Sequence, residues 1–85
     1  MYILFMDPIR VEDFISVDPE ICHGKPCFKG TRVMVSVILE LLEAGETVPE
    51  IIENYPSLTP QHIQAALHLA SQMIANERYV LFPAA

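Results

Sequence analysis

At Val33 the chain changes character, and that change constrains the fold more than any other feature. Before it, Asp7-Pro8, Asp18-Pro19, Lys25-Pro26, Gly24 and Gly30 punctuate short runs such as Phe14-Ile15-Ser16-Val17 and Cys27-Phe28. Proline removes an amide donor and glycine admits positive φ, so this half reads as short strands and turns. After Val33 the apolar residues recur at helical spacing. The chain therefore divides into a strand-and-turn arm over 1–34, helices over 35–76 and an apolar tail over 77–85. With 85 residues there is room for a single domain.

Val35, Ile38, Leu39 and Leu42 share one helical sector, with Leu41 beside them and Glu40 and Glu43 pointing away. This predicts a first helix from Val35 or Ser36 to Ala44, stopped by Gly45. Thr47 and Glu50 have capping-box spacing with Pro49 in the first turn, so a second helix starts at once and ends near Tyr55, before Pro56. Its core residues are Ile51 and Ile52. Thr59-Pro60 opens a third helix reaching about Asn76. Ile63, Ala66, Leu67, Ala70 and Ile74 are predicted to form its apolar face, with Gln61, Gln64, His68, Ser71 and Gln72 opposite. Three helices with such short connections match the layout of a helix-turn-helix unit, a mainly α fold behind a short β element.

Hydrophobic residues make up 52% of the chain, more than a small body conceals, since a domain of this size buries only roughly 60% of its unfolded surface. We therefore expect a homodimer, with the β-prone ends Met1 to Phe5 and Tyr79 to Phe82 buried between chains. Five Lys and Arg stand against 11 Asp and Glu, a net charge of −6, which opposes non-specific attraction to nucleic acid or an anionic membrane. Met1 to Met6 lacks the basic start of a signal peptide. The uncharged stretch from Asn54 to Asn76 contains Gln61, His62, Gln64, His68 and Gln72, which argue against a membrane span. The chain reads as soluble and cytoplasmic, with Cys22 and Cys27 reduced and packed as small apolar residues.

Positive charge gathers at Lys25, Lys29 and Arg32, inside Gly24-Lys25-Pro26-Cys27-Phe28-Lys29-Gly30-Thr31-Arg32. Such a loop can grip phosphate or a partner's carboxylates through cations and free amides. Equally, Arg32 can be held internally by a carboxylate or by carbonyls, while Gly24 and Pro26 shape the turn and Gly30 and Thr31 cap the first helix. It is not a Walker loop, because Pro26 follows Gly24-Lys25. On the third helix Gln61, Gln64 and His68 are residue types able to read base edges, or else form a solvated polar face. No Lys or Arg lies between Val33 and Glu77 to hold phosphates, and Glu40, Glu43, Glu46, Glu50 and Glu53 make the first two helices acidic. Cys22, His23 and Cys27 fall short of a zinc ligand set. No catalytic pattern is present, so neither an enzyme nor a cofactor is expected.

The run from Ile15 to Val35 resembles the family known as domain of unknown function 433. The likeness rests on Asp18-Pro19, Gly24-Lys25-Pro26 and Gly30-Thr31-Arg32 followed by Val35. It continues through Ile38, Leu42, Gly45, Glu50-Ile51 and Tyr55-Pro56-x-Leu58, from about Phe14 to Met73. The resemblance implies a bacterial or archaeal protein with a homeodomain-like three-helix fold behind an N-terminal β element. Members are often proposed as antitoxins encoded beside a PIN-like ribonuclease toxin. We therefore expect a non-enzymatic antitoxin that binds a PIN-like toxin and, through the helix-turn-helix, operator DNA. The rival expectation is a homodimeric protein-interaction module that never binds DNA.

Overall fold

The turn signals of the arm resolve into two very short strands in a computed structural model that describes residues 9–76. A 3-10 turn at Val11–Asp13 leads into β1 (Ile15–Ser16), which pairs antiparallel with β2 (Cys27–Phe28). Ile15 faces Phe28 and Ser16 faces Cys27. A third extended segment lies along β2, where the Phe28 amide donates to the Val33 carbonyl and the Val35 amide to the Pro26 carbonyl, both at 3.0 Å. The intervening reversal is closed by the Thr31 amide on the Phe28 carbonyl at 3.0 Å and needs φ of +74° at Gly30, a left-handed value that glycine adopts without strain.

Thr31 fastens that reversal. Its hydroxyl donates to the Phe28 carbonyl at 2.7 Å and accepts from the Val33 amide at 3.0 Å. Gly30 and Thr31 therefore do not cap the first helix, whose N-cap is Met34 without a side-chain bond. The hydroxyl is taken by the nearer amide of the reversal itself.

Between β1 and β2 the chain makes a left-handed turn, Cys22–Gly24, with φ of 53°, 57° and 76° at Cys22, His23 and Gly24. Two of these are not glycine, and each L residue held there costs roughly 1 kcal/mol. The turn is fastened by the Gly24 amide on the Ile21 carbonyl at 3.1 Å and the Lys25 amide on the Cys22 carbonyl at 3.0 Å. It also folds the chain back so that Cys22 meets Cys27 in a disulfide. This corrects the expectation of two reduced thiols. Spacing alone does not bring the sulfurs together; the left-handed reversal does.

The helices fall where capping chemistry predicts: α1 (Val35–Glu43), α2 (Val48–Asn54) and α3 (Pro60–Asn76). Gly45, at φ of 96°, ends α1 as its amide bonds the Leu42 carbonyl and the Glu46 amide bonds the Leu41 carbonyl. At the head of α2 the Glu50 amide donates to the Thr47 hydroxyl at 3.3 Å, and the Thr47 amide donates to the Glu50 carboxylate at 2.8 Å.

The described residues thus form a mainly helical fold of three helices and one two-stranded antiparallel sheet. Phe28, Ile38, Ile51, Leu58 and Ile63 are its largest fully buried side chains. α3 packs against α1, α2, β1 and the Val11–Asp13 turn at once. Of the predicted apolar face of α3, Ile63 and Ala66 are buried and Ala70 half-buried, but the many-sided packing turns the helix partway toward Ala65. Ala65 and Ala66 are fully buried with Ile63, whereas Leu67 is 50% and Ile74 64% exposed. Met1 to Phe5 and Tyr79 to Phe82, expected between chains, lie outside the described residues.

Candidate functional site

The four cations of the arm have different surroundings. Lys29 is tied down: its ammonium donates to the Glu12 carbonyl at 2.6 Å and its amide to the Phe14 carbonyl at 2.8 Å. Arg10 is paired with Glu12 at 3.3 Å and Asp13 at 3.8 Å. The Glu12 carboxyl is held below its ordinary range, first by its own backbone amide and then by Arg10 and Lys29. Lys25 and Arg32 are exposed, and neither has an ion-pair partner among the described residues. Among the described residues the Arg32 side chain has neither of the internal partners that the sequence offered it, a carboxylate or a backbone carbonyl. It lines an open recess of about 400 Å³ with Ser16, Ile21, Gly30 and Thr31.

Lys25 and Pro26 belong to a different feature, an apolar groove of about 300 Å³ between α1 and α3. Its α1 wall is Val35, Ser36 and Leu39, and its α3 wall is Ala66, Leu69, Ala70 and Met73. The small side chains of Ala66 and Ala70 keep it open. Glu40 and Glu43 lie one and two turns beyond Ser36 and are exposed, so helical spacing sets them on the Ser36 side of α1, outside the lining of the groove. The groove is thus apolar inside, and Lys25 is the charged residue that lines it.

On the outer side of α3, Gln61 and Gln64 are exposed and His68 is half-buried, and helical spacing places the three on one face. They lie in its first half, directly after the turn that separates α2 from α3.

The residue that sequence reasoning passed over is His62. Its Nδ1 accepts from the Thr59 amide at 3.0 Å and lies 2.8 Å from the Thr59 hydroxyl. The ring also stands edge-on to Phe14 and Phe28, at centroid distances of 5.1 and 5.8 Å. The Thr-x-x-His spacing, identical to that of a capping box, was the signal available. Among the described residues no group of three or more His, Cys, Asp and Glu could hold a metal ion. Nor is any described helix long and apolar enough to cross a membrane.

Comparison with known proteins centres on this same region. Residues 15–70 match the profile of a family described as protein of unknown function (DUF433). An uncharacterized protein, y4eO, from Sinorhizobium fredii is 32% identical over 60 residues, 71% of this chain. The chain spans only 27% of that relative's length. The crystal structure of a DUF433 member from Anabaena variabilis superposes with a TM-score of 0.70 at 28% identity, over 76% of this chain and 64% of the other. The matched segment runs from β1 into α3 and contains the recess, the Lys25-Pro26 wall and most of the groove. On these grounds the chain belongs to the DUF433 family.

Proposed function

We propose that this protein is a non-enzymatic, antitoxin-like binding module whose homeodomain-like helix-turn-helix neutralises a PIN-like ribonuclease toxin by protein contact. The observation that carries the reading is the apolar groove between α1 and α3, on a chain whose α1 also exposes Glu40 and Glu43. An apolar floor supplies burial energy of roughly 25 cal/mol per Å², and the exposed acids of α1 favour a cationic amphipathic segment. A ribonuclease needs such cations for its own substrate, so this acidic surface fits a surface made for nucleic acid. Co-expression with the product of the neighbouring gene tests it. The expected result is a co-purifying complex with the ribonuclease silenced, and both effects are lost in Leu39→Glu and in Ala70→Glu at unchanged helical circular dichroism. A complex that survives both substitutions, or no complex at all, overturns the reading.

The exposed Gln61 and Gln64 favour a second activity, recognition of operator DNA with the first half of α3 in the major groove. Lys25 and Arg32 of two copies would then supply the phosphate contacts. Steeply salt-dependent binding to the upstream region, with sequence preference relaxed by Gln64→Ala, supports this; binding unaffected by Gln64→Ala refutes it. The exposed Leu67, Met73 and Ile74 favour a homodimer, in which a second copy would cover them. Light scattering that gives a monomer at micromolar concentration removes the dimer and leaves a one-to-one toxin complex as the functional unit.

A further inference from the structure

The recess beside Arg32 is built from different material than the groove. Ser16, at the end of β1, brings a half-buried hydroxyl, and the reversal after β2 brings Gly30, Thr31 and Arg32. Thr31 has nothing left to offer, because its hydroxyl donates to the Phe28 carbonyl and accepts from the Val33 amide, and its own amide is bonded to the Phe28 carbonyl. The amides of Gly30 and Arg32 differ. Among the described residues neither has a backbone acceptor, although each flanks an amide that does. The Arg32 guanidinium likewise has no carboxylate within ion-pair distance among those residues. The residues that carry two amides without a backbone acceptor, a hydroxyl and an unpaired guanidinium, namely Gly30, Arg32 and Ser16, therefore line one open recess together with Ile21 and Thr31.

From this arrangement we infer that the recess is a binding site for a single carboxylate of a protein partner. The guanidinium fork matches the two carboxylate oxygens, and the amides and the Ser16 hydroxyl supply further donors around them. Charge argues for a carboxylate over a nucleic-acid backbone. Following a row of phosphates takes several cations, yet Arg10 and Lys29 are engaged within the arm and Lys25 lines the groove rather than the recess. No Lys or Arg occurs between Val33 and Glu77, and the chain carries a net charge of −6. One free guanidinium suits one monoanion. The inference rests on the protein-binding reading, and it adds the chemistry of one partner group at a place separate from the groove.

The test is a titration of the intact chain with sodium acetate at constant ionic strength, followed by amide resonances in two-dimensional NMR. Saturable shifts confined to Gly30, Arg32 and their neighbours are expected. Arg32→Gln should weaken acetate binding by at least about tenfold, and Arg32→Lys by less, because it keeps the charge and loses the fork. Arg32 is exposed, so unchanged resonances elsewhere would establish that both variants are folded. Absence of saturation, or equal shifts in Arg32→Gln, overturns the site. Inorganic phosphate or a short DNA duplex saturating the same amides more tightly than acetate overturns the carboxylate assignment. The groove variants Leu39→Glu and Ala70→Glu should leave acetate binding unchanged, so failure here and failure of toxin capture are separately visible.

Discussion

His62 holds the start of α3 by accepting, at Nδ1, the backbone amide of Thr59 three residues before it, at 3.0 Å. A histidine thus takes the place that glutamate or glutamine takes in the usual capping box. The same ring lies edge-on to Phe28, the largest fully buried side chain, so the cap of α3 and the anchor of β2 are one unit. His62→Ala removes both contributions. With a cap at about 1 kcal/mol and aromatic pairs at about 1 kcal/mol, the variant should lose about 2 kcal/mol in urea unfolding. His62→Gln, which restores an acceptor without the ring, should recover part of the loss. Equal losses in the two variants would show that only the ring matters.

Acid should weaken the start of α2. The backbone amide and hydroxyl of Thr47 hold the Glu50 carboxyl below its ordinary value of 4.5. A carboxyl with a depressed folded-state pKa stabilises the fold above its unfolded value, and that contribution is lost as pH falls through the lowered one. Urea midpoints followed downward from neutral pH should therefore decline below about pH 4.5, and Glu50→Gln should flatten the decline. Glu12, shifted in the same direction, leaves a residual slope. Thr47→Ala should cost about 1 kcal/mol at neutral pH.

The Cys22–Cys27 bond closes a ring whose ends are five positions apart in sequence. Loop-closure entropy for so short a ring corresponds to about 2 kcal/mol. Dithiothreitol should lower the unfolding midpoint of the native chain accordingly and leave Cys22→Ser/Cys27→Ala unaffected. Mass spectrometry after alkylation should find no free thiol in protein isolated without reductant. Two alkylated cysteines under those conditions would return the pair to the reduced state that the sequence led us to expect.

The rotation of α3 makes opposite predictions for two neighbours. Ala65 is fully buried, so Ala65→Leu overpacks the core and should cost about 1–3 kcal/mol. Leu67 is 50% exposed, so in the monomer Leu67→Gln should change stability by less than about 0.5 kcal/mol. The sequence-derived face, with Leu67 inward, predicts the reverse ranking, and thermal unfolding of both variants decides between them.

Which parts of this molecule were legible before folding follows from the range of the forces involved. Helix boundaries were readable because they are local chemistry: Gly45 ends α1, Thr47 and Glu50 start α2, and Thr59-Pro60 starts α3. The division at Val33 was readable for the same reason, since proline and glycine act on their own backbone. Three things were decided only in three dimensions. α3 turned toward Ala65 because four elements press on it from different sides, and the composition of one helix does not encode the direction of that pressure. Lys29 separated from Arg32 because the Val11–Asp13 turn, distant in sequence, offers it a carbonyl. Cys22 reached Cys27 because Cys22 and His23 adopt left-handed backbone angles, a conformation L residues avoid locally and hold only where the surrounding structure imposes it. Local backbone preferences are written residue by residue in the sequence, whereas rotation, partner choice and strain are settled by the elements packed around each residue.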